Sequence, residues 1–125
     1  MKNKEINIDA RRLPVIEWEG KRVITLAMID QLHGKCDGSA RQTLTNHKHR
    51  FTLNQDSYLL KGRKTLNALP EGIVDRRASQ LWLITETGYL LLIKIMRDEH
   101  AWNVHQSVVA TYFNQNKAES YQYDN

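Results

Sequence analysis

A single cysteine, Cys36, leaves this 125-residue chain without an internal disulfide and without a thiolate cluster for zinc. Long apolar runs are missing too. The longest, Tyr89 to Ile93, falls far short of the roughly 18 residues that cross a membrane. The charged opening Met1-Lys2-Asn3-Lys4 is followed by no apolar stretch, so it does not read as a signal peptide. These absences point to the cytoplasm. Asp30, Asp37 and Asp56 are scattered rather than clustered as a magnesium-dependent nuclease would need, so no enzyme is expected. His47 and His49 stand two apart on an expected helix and point different ways, unlike the i, i+4 pair that binds zinc. With His33 they suggest no metal site, and no cofactor is expected. Cys36, beside Lys35, reads as incidental rather than as a reactive thiol. Few aromatics lie among the basic residues, only Phe51 and Tyr58 between Arg41 and Lys64, which argues against a single-strand stacking platform. Trp18, Trp82 and Trp102 are expected in the core or at an interface.

The remaining composition is that of one globular domain, 41% hydrophobic and 26% charged, long enough to bury a core unaided. Its net charge of +4 is unevenly spread. Between His33 and Arg77 nine bases (Lys35, Arg41, Lys48, Arg50, Lys61, Arg63, Lys64, Arg76, Arg77) outnumber four acids. From Asp98 onward Lys117 is the only lysine or arginine, against four acids. The basic middle suits a polyanion, although such a skew is also common on a solvated face.

Local patterns divide the chain into elements. Leu13–Thr25 reads as a β-hairpin, with Val15–Trp18 and Lys21–Ile24 flanking a Glu19-Gly20 turn. Thr25 can N-cap a short helix that buries Leu26, Ile29 and Leu32 and ends at Gly34. After a turn to Gly38, Ser39-Ala40-Arg41-Gln42 has the form of a capping box. It would open a helix from Ser39 to Phe51 that buries Ala40, Leu44, His47 and Phe51. Asp56–Leu60 reads as a strand, the polar stretch 61–79 as a loop, and Gln80–Ile84 as another strand. Thr85 then caps a helix to about Met96. A last helix from Asp98 or Glu99 places Ala101, Val104, Val108 and Tyr112 inward.

Two helices joined by a short turn, the second basic and polar on one face, match a helix-turn-helix reader. Arginine can grip guanine bidentately, and asparagine or glutamine can do the same with adenine. Arg41, Gln42, Thr45, Asn46 and His49 are the candidate base readers. Lys35, Ser39, Lys48, Arg50, Lys61, Arg63, Lys64, Arg76 and Arg77 are the candidate phosphate contacts. The last four, with Lys61, would form a flexible clamp in the long loop. Spacing alone fits a solvated amphipathic helix equally well.

The stretch Leu-Pro-Val-Ile-Glu-Trp-Glu-Gly-Lys-Arg-Val-Ile-Thr-Leu (13–26) resembles the opening of KilA-N-like phage DNA-binding domains, in the branch at the N-terminus of phage antirepressors. The likeness continues through Ile29–Gly34, Ala40-Arg41, Asn46, Lys48 and Arg50-Phe51. It resumes at Leu83–Leu92, Ala101-Trp102 and Tyr112-Phe113. Leu44 departs from the pattern, standing where similar proteins often carry an aromatic residue. The resemblance implies a compact domain whose Ala40–Phe51 helix faces DNA, in a phage or mobile-element setting. Such proteins usually carry a further domain after the position of Phe113, whereas this sequence runs only to Asn125, so binding alone is expected.

The combined expectation is an α+β single domain, 13–113, with an N-terminal arm (1–12) and a C-terminal tail (114–125). It would bind a palindromic double-stranded DNA operator as a homodimer and repress transcription by occupancy. Trp102, Val109, Tyr112 and Phe113 would form the dimer surface. The alternative is an antirepressor-type module that binds another regulator.

Overall fold

The computed structural model describes residues 5–8, 11–96 and 99–113. Within them the chain forms a small α+β domain, with strands β1 (Glu5–Ile8), β2 (Arg11–Pro14), β3 (Ile16–Trp18) and β4 (Lys21–Thr25), then helices α1 (Leu26–Leu32) and α2 (Ser39–Asn46). A 3-10 turn (Lys48–Arg50), β5 (Ser57–Lys61), a short α3 (Arg63–Leu66), β6 (Gln80–Ile84), α4 (Glu86–Met96) and α5 (Glu99–Val108) follow, and a π-helical turn (Val109–Phe113) ends the described chain. The expected tail, 114–125, lies outside the described residues, as does Asp98.

The expected first hairpin is two hairpins. Ile16–Trp18 pairs with Lys21–Val23 across Glu19-Gly20, whose φ angles of 51° and 78° are those of a tight turn twisted to match its strands. Leu13 and Pro14 instead belong to β2, which pairs with β1 in the register Ile6↔Leu13. The described part of the N-terminal arm is therefore β1 and the first two residues of β2, Arg11 and Arg12, with Ile8 buried.

The main sheet is antiparallel, in the order β3-β4-β6-β5. β4 meets β6 only at Ile24↔Ile84 and Thr25↔Leu83, whereas β5 pairs along all of β6, from Ser57↔Ile84 to Lys61↔Gln80. Ile16, Val23, Ile24, Ile29, Leu83, Ile84, Tyr89, Leu92 and Val108 share one core. Thr25 caps α1 as its sequence position predicts, its Oγ1 accepting from the Met28 N–H at 3.1 Å.

The last described residues lock onto the strands near the start of the domain. The Tyr112 hydroxyl donates toward the Val23 carbonyl (2.7 Å) and accepts from the Ile16 N–H (3.3 Å), and the Arg22 guanidinium donates to the Tyr112 carbonyl (3.2 Å). Tyr112 and Phe113 are thus buried. That corrects their expected place on a dimer surface: the polar tip of Tyr112 finds its partners inside the monomer. Val109 is half-buried, and of the four only Trp102 is well exposed.

Residues 61–79 are more ordered than a polar loop. α3 interrupts them, and Leu66 and Leu69 are buried in the core, with Ile73 and Val74 packed against it.

Candidate nucleic-acid interface

α1 and α2 form the expected helix pair, but the turn between them is held by a residue that spacing did not reveal. Asp30, on α1 and only 3% exposed, accepts hydrogen bonds from the Gly38 N–H (Oδ2, 2.9 Å) and the Ala40 N–H (Oδ1, 2.8 Å). Its own carbonyl accepts from the Lys35 N–H at 2.9 Å. The first N–H groups of a helix lack partners within it, and a carboxylate there also meets the positive end of the helix dipole. A side chain 8 to 10 residues upstream thus replaces the expected capping box. Ser39 is the first helical residue, Gly38 is the cap with φ 95°, and the cap makes no side-chain hydrogen bond.

α2 is also shorter than expected. It ends at Asn46, where the His47 N–H is shared between the carbonyls of Thr43 (3.1 Å) and Leu44 (3.2 Å). The His47 ring Nδ1 lies 3.0 Å from the same Thr43 carbonyl. Thr, Asn and His are weak helix formers, and nothing in that run drives the helix on to Phe51. Ala40 and Leu44 bury the inner face as expected, while His47 and Phe51 are half-buried. Leu44 fills its core position with 1% exposure.

On the outer face Arg41, Gln42, Thr45 and Asn46 are all exposed, and their i, i+3 and i+4 spacings put them on one side. An α-helix is about 10–12 Å across with its side chains, which a major groove about 12 Å wide admits. His49 leaves this group. It lies with Lys48 and Arg50 on the 3-10 turn, beyond the end of α2.

The basic residues divide by role. Lys35, in the α1–α2 turn, is exposed, as are Lys48 and Arg50, while Ser39 is half-buried. Lys61 ends β5 opposite Gln80. Arg63 is committed within the protein, its guanidinium donating to the carbonyls of Arg76 (2.6 Å) and Ala78 (2.7 Å). It ties the outgoing and returning limbs of 62–79 together, so the segment is a braced wing rather than a slack clamp. Lys64, Arg76 and Arg77 remain exposed on it.

Two residues were not foreseen at this surface. The Nζ of Lys48 sits over the Trp82 ring, 5.9 Å from its centroid, within reach of a cation–π attraction. Trp82 and Gln80 also line a cleft of about 300 Å³, together with Arg41 and Asp37. Sequence distance hid this neighbourhood, since the start of β6 comes beside α2 only through the β4-β6-β5 order.

Among the described residues no group of three or more His, Cys, Asp or Glu could hold a metal ion, and no helix is long and apolar enough to cross a membrane. His33 is a core residue, with its Nε2 2.6 Å from the Tyr89 hydroxyl, and Cys36 is exposed.

Residues 13–95 match the ORF6N domain, a phage-associated domain related to KilA-N and antirepressor regions. The match spans well over half of the chain, and the chain belongs to that family. No curated protein and no solved structure matches it.

Proposed function

We propose that this ORF6N-domain protein is a sequence-specific double-stranded DNA-binding regulator that represses transcription by occupying its operator. The observation that carries the reading is the exposed Arg41, Gln42, Thr45 and Asn46 face. It lies on a helix whose start is fixed by the buried Asp30 carboxylate. A reading face needs side chains that match base edges and a rigid element to present them. α2 offers both. Lys48 and Arg50 at one end, Lys35 at the other, and Lys61, Lys64, Arg76 and Arg77 on the wing supply charge for the flanking phosphates. In the finer classification, the reader resembles a KilA-N domain acting in a phage or mobile-element setting.

One such helix covers only a few base pairs, so two copies on a palindrome would give useful affinity. Exposed Trp102 is then the surface aromatic around which the copies meet. The relation of ORF6N to antirepressor regions supports a second reading, in which the same face binds another regulator.

Selection of bound duplexes from a random pool by the purified protein tests the proposal. Enrichment of one motif supports a DNA reader. No enrichment, together with capture of a regulator from nuclease-treated lysate, would transfer the face to the second reading.

A further inference from the structure

The cleft between α2 and the start of β6 has a composition that neither a helix-in-groove reader nor a phosphate clamp requires. Its lining combines the apolar side chains of Trp82, Leu81 and Ile73 with the polar ones of Asp37, Arg41 and Gln80. A second carboxylate, Asp30, also lines it, but both its oxygens are already engaged by backbone N–H groups. We propose that this cleft is a nucleotide subsite, in which Trp82 is the apolar wall for a base and Asp37, Arg41 and Gln80 read its edge. Lys48, which does not line the cleft but holds its ammonium 5.9 Å from the Trp82 ring centroid, takes the attached phosphate outside it. The inference rests on the DNA-binding reading only for a base that comes from DNA, and adds a separate recognition step to it.

Three features favour a base over other occupants. A bare phosphate would meet the exposed carboxylate of Asp37 at the rim, and like charges in such proximity repel. A base edge presents donors and acceptors side by side. A carboxylate accepts from an exocyclic amine, arginine donates to ring and carbonyl acceptors, and glutamine does both. An added peptide strand is disfavoured even though β6 has no strand beside Gln80–Trp82 on its β4 side. The chain turns into α1 directly after Thr25, and Leu26 and Ala27 line the same cleft, closing that edge after a residue or two. A flat aromatic ring with polar groups along one rim instead matches how extruded or unpaired bases are held, by stacking on an aromatic wall and by bonds to their edge.

The base has two chemical sources, a free nucleotide or a base drawn out of DNA, and two experiments separate them. The first is equilibrium dialysis of the full chain against each of the four deoxynucleoside monophosphates. The second scans 2-aminopurine through the selected duplex, where transfer of the base from its neighbours in the stack to the Trp82 ring changes its emission. Saturable binding of a monophosphate supports the free source, and a change of emission confined to one position supports the DNA source. Either signal should fall about five- to a hundredfold in Trp82→Ala and in Gln80→Ala, and Trp82→Phe should largely restore it. Circular dichroism checks that each variant is folded.

If the protein binds its selected duplex but shows neither signal, the subsite is wrong and the DNA reading stands. If it binds a monophosphate but enriches no duplex, the subsite stands and the DNA reading falls. A signal that survives Gln80→Ala and Trp82→Ala unchanged in folded protein also overturns the subsite, because the base would then lie elsewhere.

Discussion

The carboxylate of Asp30 on α1 accepts a hydrogen bond from the backbone N–H of Ala40 on α2 at 2.8 Å, and that bond sets where α2 begins. Its other oxygen holds the Gly38 N–H, so a single side chain fixes both sides of the helix start. Hydrogen bonds to charged groups contribute about 1.5–3 kcal/mol each. Asp30→Ala should therefore cost about 2–4 kcal/mol, allowing for partial replacement by water, and Asp30→Asn should cost less because one oxygen acceptor remains. Urea unfolding measures both. A loss below about 0.5 kcal/mol for Asp30→Ala would show that the turn holds without its carboxylate. At protein concentrations where it still folds, the Ala variant should also bind DNA more weakly, its reading face being less rigid.

Gly88, in the first turn of α4, packs against the backbone where β5 begins. A methyl group there would run into the Asp56 carbonyl oxygen and press on the Ile84 side chain. Helix propensity alone favours alanine over glycine by about 0.5–1 kcal/mol. The collision is with backbone, which cannot rotate away, so the steric term should win. Gly88→Ala should destabilise the domain by about 1–3 kcal/mol or more. It should also disturb the Thr87 Oγ1 to Asp56 Oδ1 bond (2.6 Å) and the Thr85 N–H to Asp56 carbonyl bond (3.0 Å) that join these segments. A rise in melting temperature for this variant would contradict the close approach.

Tyr112 gives the domain an alkaline limit. Burial raises its hydroxyl pKa from 10.0 to about 12, against the opposing pulls of the Ile16 hydrogen bond and the Arg22 charge. Burial raises Tyr89 in the same direction. The folded chain holds these protons more tightly than the unfolded chain does. Their contribution is therefore complete below pH 10 and is lost as pH climbs through 12. Tyrosinate absorbance and circular dichroism, followed together, should change in one cooperative step in that window. Tyr112→Phe removes the acceptor of the Ile16 N–H and should cost about 1–3 kcal/mol at neutral pH. Its stability should then decline less steeply above pH 10, because only Tyr89 retains the raised value. An unchanged alkaline slope would place the titrating group elsewhere.

The elements legible from sequence are those fixed by neighbours along the chain. Glu19-Gly20 announces a tight turn, and Thr25 and Thr85 stand immediately before helices that begin at Leu26 and Glu86. Ala40 and Leu44 mark the inner side of α2 by simple spacing. The misses were set by distant partners. Asp30 caps a helix that starts nine residues later, which no local capping pattern contains. The end of α2 at Asn46 rests on a competition among weak helix formers, and the apolar stripe to Phe51 hid it. Leu66 and Leu69 are buried because the wing folds back on the sheet, although their surroundings in sequence are polar. Spacing turns Tyr112 inward, but its expected part in a dimer surface failed because its three polar contacts lie some ninety residues upstream, beyond any local pattern. At the candidate interface the α2 residues were legible. Gln80 and Trp82 were not, since strand order alone brings them there.

Arg41 and Lys48 should separate base reading from phosphate holding. Arg41 is exposed on α2 at the rim of the cleft, whereas Lys48 lies past the helix end, over Trp82. Loss of a side chain that grips a base edge costs about 1–3 kcal/mol and relaxes preference at that position. Arg41→Ala should do this on the selected operator while leaving the salt dependence of non-specific binding nearly intact. Loss of a phosphate contact weakens all sequences alike and lowers the slope of log affinity against log salt by about 0.9. Lys48→Ala should do that without changing the selected motif. Titrations of both variants at several salt concentrations, on the operator and on a scrambled duplex, give all four quantities at once. If Lys48→Ala changed the motif and Arg41→Ala only the salt slope, the two roles would be exchanged, and the reading surface would centre on the 3-10 turn rather than on α2.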